Sequence, residues 1–277
     1  MKMSDNLAET HDTDATTHDL ILCLFGLFVL NDKLFSALPT SVIIAVMERL
    51  DVSEAAVRVT LTRMAHRGIF ARRRKGRITL FVLTETGTSL LKQGEERVFK
   101  EHPFGTDTDG WTVLNALPPA SQPSRRYQFQ QRLLWAGFGA IDTRLWIAPG
   151  CVDIVARFGD MLSSNELSSL RAIHGDLLPT TDAGRLVHQA WNVEAIRMLH
   201  ESFLATWEAY EPQGAPLAML IRMALDWGNL LKADPGLPGA LLDTEWPSLR
   251  SAATFRRLFP TLRDLGQAEL MILCEKT

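Results

Sequence analysis

Cysteine is scarce in this chain of 277 residues: Cys23, Cys151 and Cys274 stand far apart, with no Cys-x-x-Cys pair. That spacing speaks against a disulfide framework and a thiolate metal site, and it fits a reducing, cytoplasmic compartment. Long apolar runs are missing too, since Leu20 to Leu30 falls well short of the roughly 20 residues of a membrane helix. Residues 1–19 carry five acids and one lysine with no apolar run, unlike a secretory leader, and are expected to form a disordered tail. There is no Gly-x-Ser-x-Gly, no glycine-rich phosphate loop and no His-Glu-x-x-His. The seven histidines are scattered; His188 and His200, twelve residues apart on one predicted helix, are over three turns apart and too distant to share a metal. Neither a catalytic residue, a metal site nor a cofactor is expected, and no repeat of fixed period is seen.

What the chain does have is charge concentrated in one place. Residues 53–83 hold eight Arg or Lys against the single acid Glu54, a net +7, while the whole chain is −3, so everything outside the stretch sums to −10. Such asymmetry points to a polyanionic partner. Ser53 suits a helix N-cap, Glu54 the positive end of the dipole and Gly68 the left-handed C-terminal position. At 100° per residue Val57, Thr60, Leu61 and Met64 face inward. Ser53, Ala55, Arg58, Val59, Thr62, Arg63 and His66 lie on or beside the opposite face, slim enough for hydroxyl and guanidinium groups to reach bases or phosphates. Ile69–Arg74 and Arg77–Leu83 read as a hairpin around a Lys75-Gly76 turn, with Arg72, Arg73, Arg74, Lys75 and Arg77 at its tip.

Two apolar helices precede this element, Leu20–Leu30 capped by Asp19 and Leu38–Leu50 with Pro39 near its start. Helix, tight turn, basic helix and basic hairpin is the order of a winged helix-turn-helix. A helix over Thr84–Val98 closes a DNA-binding domain at 20–98, and Phe99–Gly110 reads as a linker. From Trp111 to about residue 180 a strand, a Pro118–Pro123 loop, a helix from Ser124 to Ala136 and short strands over Ala140–Ile147 suggest a ferredoxin-like α+β domain. Residues 181–277 read as helical. One continuous stripe runs from Leu186 to Trp207, followed by helices at Leu217–Leu231 and Ser248–Met271.

A family resemblance rests on residues in all three segments. They are Phe25-Gly26, Val57 through Met64, Gly68, Gly76-Arg77, Leu83-Thr84 and Gly87; then Arg126, Leu133 through Gly139, Leu145-Trp146-Ile147 and Pro149; then Ala190-Trp191, Phe203, Asp234-Pro235, Leu237-Pro238, Leu241-Leu242 and Trp246-Pro247. In their order and spacing the chain resembles the PaaX-like repressors of phenylacetate catabolism. The resemblance implies an α+β multidomain protein: an N-terminal winged helix-turn-helix, a middle ferredoxin-like domain and a C-terminal helical domain. It also implies a homodimer on an inverted repeat of double-stranded operator DNA, released by an aryl-CoA or acyl-CoA thioester. Asp226-Trp227-Gly228-Asn229 stands where the family tends to show a histidine and an arginine, Glu245-Trp246-Pro247-Ser248 lacks the usual glycine, and His200 replaces a common tyrosine. Repression of a catabolic operon therefore carries over, whereas phenylacetyl-CoA as the effector does not.

Arg126, Arg144, Trp191 and Trp227 are the candidate effector contacts. Each feature also has a plainer reading. Tryptophans at helical spacing are ordinary core, Arg126 and Arg144 ordinary surface, Arg58 a helix partner of Glu54, and the tip arginines solubilising edge charge. The alternatives to a repressor are a metal-dependent nuclease or an acyl-CoA-using enzyme carrying a winged helix, and a protein-interaction module.

Overall fold

The computed structural model describes residues 5–31, 34–100, 103–105, 110–116 and 123–277. The chain is α+β with two small antiparallel sheets, and it divides into two compact units: Met1–Arg97 with Ala209–Trp227 and Thr254–Thr277, and Val98–Glu208 with Gly228–Ala253.

In the first unit, α1 (Asp5–Phe28) starts upstream of Asp19, the start expected from sequence. Neither glycine nor proline occurs between residues 5 and 25, so nothing in that stretch breaks a helix; residues 1–4 of the expected tail lie outside the described residues. Ile21, Leu24, Phe25 and Phe28 recur at helical spacing and are fully buried. Leu38, restricted to extended backbone by the proline after it, pairs with Phe81, so Leu38–Pro39 is a short strand, β1, rather than the first turn of the second helix.

Helix α2 (Thr40–Glu48) follows, and its end is closed by Val52 N–H donating to the Met47 carbonyl and Asp51 N–H to that of Glu48. This closure needs a left-handed residue, and Asp51 supplies it at φ 62°. Helix α3 (Glu54–His66) begins at Ser53, whose hydroxyl accepts from Ala56 N–H, and ends in the same kind of closure with Gly68 at φ 73°. Val57, Thr60, Leu61 and Met64 are its buried face, as the spacing predicts.

Strands β2 (Phe70–Lys75) and β3 (Ile78–Leu83) pair from Phe70↔Leu83 to Lys75↔Ile78, and β1 adds to β3. The turn is Gly76-Arg77, one residue later than the expected Lys75-Gly76. Glycine then occupies the first central position at φ 61°, as a two-residue type II′ turn requires. At the base, Phe70 packs on Phe25 and Phe81 with ring centroids 4.3 and 6.2 Å away.

The corner between hairpin and α4 (Glu85–Val98) is fixed by the adjacent carbonyls of Gly68 and Ile69. Ile69 C=O accepts from Thr84 N–H, and the Thr84 hydroxyl, whose one proton is shared between Gly68 C=O at 2.5 Å and Ile69 C=O at 3.1 Å, accepts from Gly87 N–H. A Cβ at Gly87 would lie 2.2 Å from the Ile69 carbonyl oxygen. Parts of α10 (Pro216–Ala233) and α11 (Ser248–Glu275) complete this unit. Glu269 pairs with Arg49 and accepts from Leu217 N–H, Arg263 lies 4.4 Å from the centre of the Phe28 ring, and Trp227 stacks on Phe255 at 4.5 Å.

In the second unit, β4 (Trp111–Asn115), α5 (Pro123–Trp135), β5 (Gly139–Ala140), β6 (Leu145–Pro149), α6 (Ile154–Phe158), α7 (Ser164–Ser169) and β7 (Arg171–Gly175) follow in sequence. Their strands assemble in the order β5-β6-β4-β7, every pair antiparallel. Phe129 and Leu133 of α5 pack with Leu114, Trp146 and Phe158. Of the expected linker and the Pro118–Pro123 loop, residues 101–102, 106–109 and 117–122 lie outside the described residues.

The stripe read as one helix from Leu186 is broken into α8 (Ala183–Ala190) and α9 (Val193–Trp207). Trp191 is extended, and the Asn192 side chain accepts from Ala195 N–H to start a new helix, the capping role that suits asparagine better than a helix interior. A Cβ at Gly139 would overlap the Trp191 ring at 2.5 Å, so the indole lies flat on bare backbone. Deeper in the unit, His200 is fully buried between two partners. Its Nε2 is 3.0 Å from Asp234 Oδ2, its Nδ1 is 3.0 Å from Ser251 Oγ, and Asp234 Oδ1 accepts from Gly236 N–H.

Two measurements test this account. Gly87→Ala, which in an open helix would gain about 1 kcal/mol, is expected instead to cost about 2 to 3 kcal/mol in chemical denaturation, because the methyl meets backbone that cannot yield. Glu166, which closes a capping box on Ser163, is held at about 2, below its usual 4.5, by the Ser163 amide and hydroxyl and then by Arg125. Since this pKa is depressed, the contribution is complete above about 4.5 and lost as pH falls toward 2. An NMR carboxyl titration should place the Glu166 midpoint near 2, and Arg125→Ala should raise it.

Candidate nucleic-acid interface

The exposed face of α3 and the β2–β3 hairpin form one basic surface in the first unit. All twelve residues singled out from sequence, Ser53, Ala55, Arg58, Val59, Thr62, Arg63 and His66 on the helix side and Arg72, Arg73, Arg74, Lys75 and Arg77 on the hairpin, are exposed. Val59 is 46% exposed although it is a β-branched hydrophobe inside a helix.

The arrangement is braced rather than loose. Thr62 Oγ1 donates to the Arg58 carbonyl at 2.8 Å and accepts from Arg72 Nη2 at 2.8 Å, joining helix to hairpin. Strand alternation puts Arg72 on the same side as Phe70 and Phe81, and its guanidinium carbon lies 5.7 Å from the centre of the Phe81 ring. Arg72 thus sets the angle between the two elements. Arg58 is paired with Glu54 one turn earlier, its Nη2 2.6 Å from Oε1, the plain helix contact weighed from the sequence. That pair is exposed at both ends and worth only about 0.3 to 0.5 kcal/mol, so a stronger anion readily displaces it. Among the described residues no carboxylate pairs with Arg73, Arg74, Lys75 or Arg77. Their charge is held together on a short two-stranded ribbon, the width a major groove accepts.

Of the four expected effector contacts, three lie in the second unit and one in the first. Arg126 and Arg144 are exposed in the second unit, on α5 and in the β5–β6 loop. Trp227 is 1% exposed in the first unit, stacked on Phe255. Trp191 alone of the four borders a cavity, about 260 Å³ in volume, in the second unit, with Leu134, Phe138, Pro235 and the α10 residues Asn229 and Lys232. Lys232 escaped the sequence reading because a lysine in the last turn of a helix ordinarily serves the dipole. The Asp234–His200–Ser251 chain escaped it too. Its members are 34 and 51 residues from His200, and no spacing rule links them. The Ser251 side chain is sealed in the interior, where no substrate reaches it, so this polar chain organises the core.

Residues 16–87 match the family described as PaaX-like protein, and residues 191–271 match the PaaX-like protein C-terminal domain. The chain is 22% identical over 221 residues to the transcriptional repressor PaaX of Escherichia coli (strain K12), an alignment covering 73% of this chain and 67% of that relative. In fold it is similar to protein Rv0674 of Mycobacterium tuberculosis, with a TM-score of 0.50 at 20% identity over 82% of this chain and 90% of the other.

If the hairpin tip is maintained for its charge and not for packing, converting Arg73, Arg74, Lys75 and Arg77 to Gln should leave the unfolding free energy within about 0.5 kcal/mol at each site. Arg72→Ala should cost about 1 kcal/mol because its bond to Thr62 is removed. Urea denaturation of the two variants checks both.

Proposed function

We propose that this chain, which belongs to the PaaX-like protein family, is a transcriptional repressor of a catabolic operon of the aromatic-acid type that docks on double-stranded operator DNA through α3 and the β2–β3 hairpin. The observation that carries the proposal is the braced, exposed +7 surface in a chain that is otherwise −10. A polyanion is attracted to that surface and repelled by the remainder, so docking has one orientation.

The helix pair, basic helix and two-stranded ribbon support reading residues 20–98 as a winged helix-turn-helix, with α3 in the major groove and the hairpin on flanking phosphates. Arg58 and Arg63 are then the side chains that meet bases, and Thr62 keeps the wing in register through Arg72. The strand order β5-β6-β4-β7, with helices between β4 and β5 and between β6 and β7, supports a ferredoxin-like reading of 111–180, beyond the linker at 99–110. Residues 181–277 then form the helical effector and dimerisation segment. Two copies related by a two-fold axis bind an inverted repeat with half-sites about 34 to 36 Å apart. A coenzyme A thioester of an aryl or acyl acid releases them by favouring a dimer geometry that no longer fits that spacing. The protein works in the cytoplasm, where its DNA and its three free thiols belong.

Footprinting on DNA upstream of its own gene and neighbouring operons should reveal one protected inverted repeat. Arg58→Ala with Arg63→Ala should abolish protection. Removing the tip charges should weaken binding to all sequences alike and reduce the slope of log K against log salt by about 0.9 for each phosphate the surface no longer neutralises. Equal affinity for every duplex, before and after these changes, would reject the proposal.

A further inference from the structure

Glu54 is the single acid among eight cations between residues 53 and 83. On a surface that attracts a polyanion it repels one, so its charge lowers affinity for any phosphate chain. In the first turn of α3 it serves the positive end of the helix dipole, but the dipole does not dictate where its side chain goes. The side chain goes to Arg58: Oε1 accepts from Nε at 2.7 Å and lies 2.6 Å from Nη2. A guanidinium carries five N–H donors in a flat fork. Glu54 engages the side edge, Nε with one N–H of Nη2. The end edge, Nη1 with the outer N–H of Nη2, is turned away from the carboxylate by the planarity of the group, and the Arg58 side chain is 59% exposed. Ala55, one turn earlier, is exposed and has only a methyl group to stand beside it. Thr62 is already committed, its proton to the Arg58 carbonyl and a lone pair to Arg72.

We infer that Arg58 reads a guanine of the operator half-site through its end edge, and that Glu54 is the positioning residue that makes this a base contact rather than a phosphate contact. Guanine presents O6 and N7 side by side in the major groove, a match for two parallel N–H groups. With its charge balanced by Glu54, the guanidinium keeps those two donors for a neutral base edge and gains little from a phosphate. The pair is weak in water. It strengthens where the groove excludes water, and a phosphate that displaced Glu54 would leave a carboxylate unpaired among phosphates. The inference rests on the operator-binding reading above, to which it adds the base that is read and the residue that orients its reader.

The test is anisotropy titration of the full chain with three kinds of duplex: the footprinted operator, a random duplex of equal length, and the operator with 7-deazaguanine, in which C–H replaces N7, at one guanine of the half-site at a time. At one position the replacement should weaken binding of the parent protein about 10-fold, the discrimination of one bidentate contact. Arg58→Ala should bind the operator less tightly and be indifferent to the replacement at that position. Glu54→Ala should bind random duplex more tightly, with a salt slope steeper by about 0.9 as the released guanidinium moves to a phosphate. Its penalty for the replaced guanine should fall to about 3-fold or less. A role confined to the helix end moves neither the slope nor the base dependence, and unchanged circular dichroism shows that both variants fold. No guanine dependence in the parent protein, which needs no variant, would overturn the inference. So would the same dependence in Arg58→Ala, or an unchanged slope and penalty in Glu54→Ala. In each case sequence-specific binding by the parent protein leaves the repressor reading standing, whereas equal affinity for operator and random duplex rejects both.

Discussion

The Ile69 carbonyl is the point on which the basic surface depends. It stands where α3 has just ended, where β2 is about to begin and where α4 returns to pack; it accepts from Thr84 N–H and shares the Thr84 hydroxyl with the neighbouring Gly68 carbonyl, while Gly87 leaves room for its oxygen. One carbonyl cannot satisfy these neighbours unless helix, hairpin and returning helix meet at a single angle. The Arg72–Thr62 bond then sets the outer half of the geometry from the solvent side. Fixed at its base and braced near its middle, the hairpin keeps its cations in register with the helix.

The first unit was largely legible in the sequence because its signals are local. Ser53 as cap, Gly68 as stop, and Val57, Thr60, Leu61 and Met64 as inner face depend only on residues within one helix. The errors there have local causes as well: Pro39 pulled Leu38 into a strand, and the demand for glycine at the first turn position moved the hairpin turn by one residue. The second unit was less legible. Leu186 to Trp207 keeps helical periodicity through Trp191 and Asn192, and the break combines a local signal, the Asn192 cap, with a tertiary one, the Trp191 ring packed on the bare backbone of Gly139. Lys232 and the buried Asp234–His200–Ser251 chain likewise depend on residues far apart in sequence.

Charge and burial are handled differently in the two units. The first keeps its cations outside, where solvent screens their mutual repulsion and an arriving anion can replace it. The second buries an aspartate, which is tolerable because each carboxylate oxygen has a partner, His200 on one side and Gly236 N–H on the other. An acid, a histidine and a serine in line suggest catalysis only when the serine is accessible, and here it is a helix residue of the core.

The exposed hairpin tip also has a consequence over evolutionary time. Substitutions at Arg73, Arg74, Lys75 and Arg77 alter what the surface attracts while leaving the core packing untouched, so they escape the stability threshold that removes most mutations. Ile69, Thr84 and Gly87 have no such freedom. A lineage of this fold can therefore tune how strongly the hairpin attracts an anionic partner by changing the tip, while the corner beneath it stays fixed.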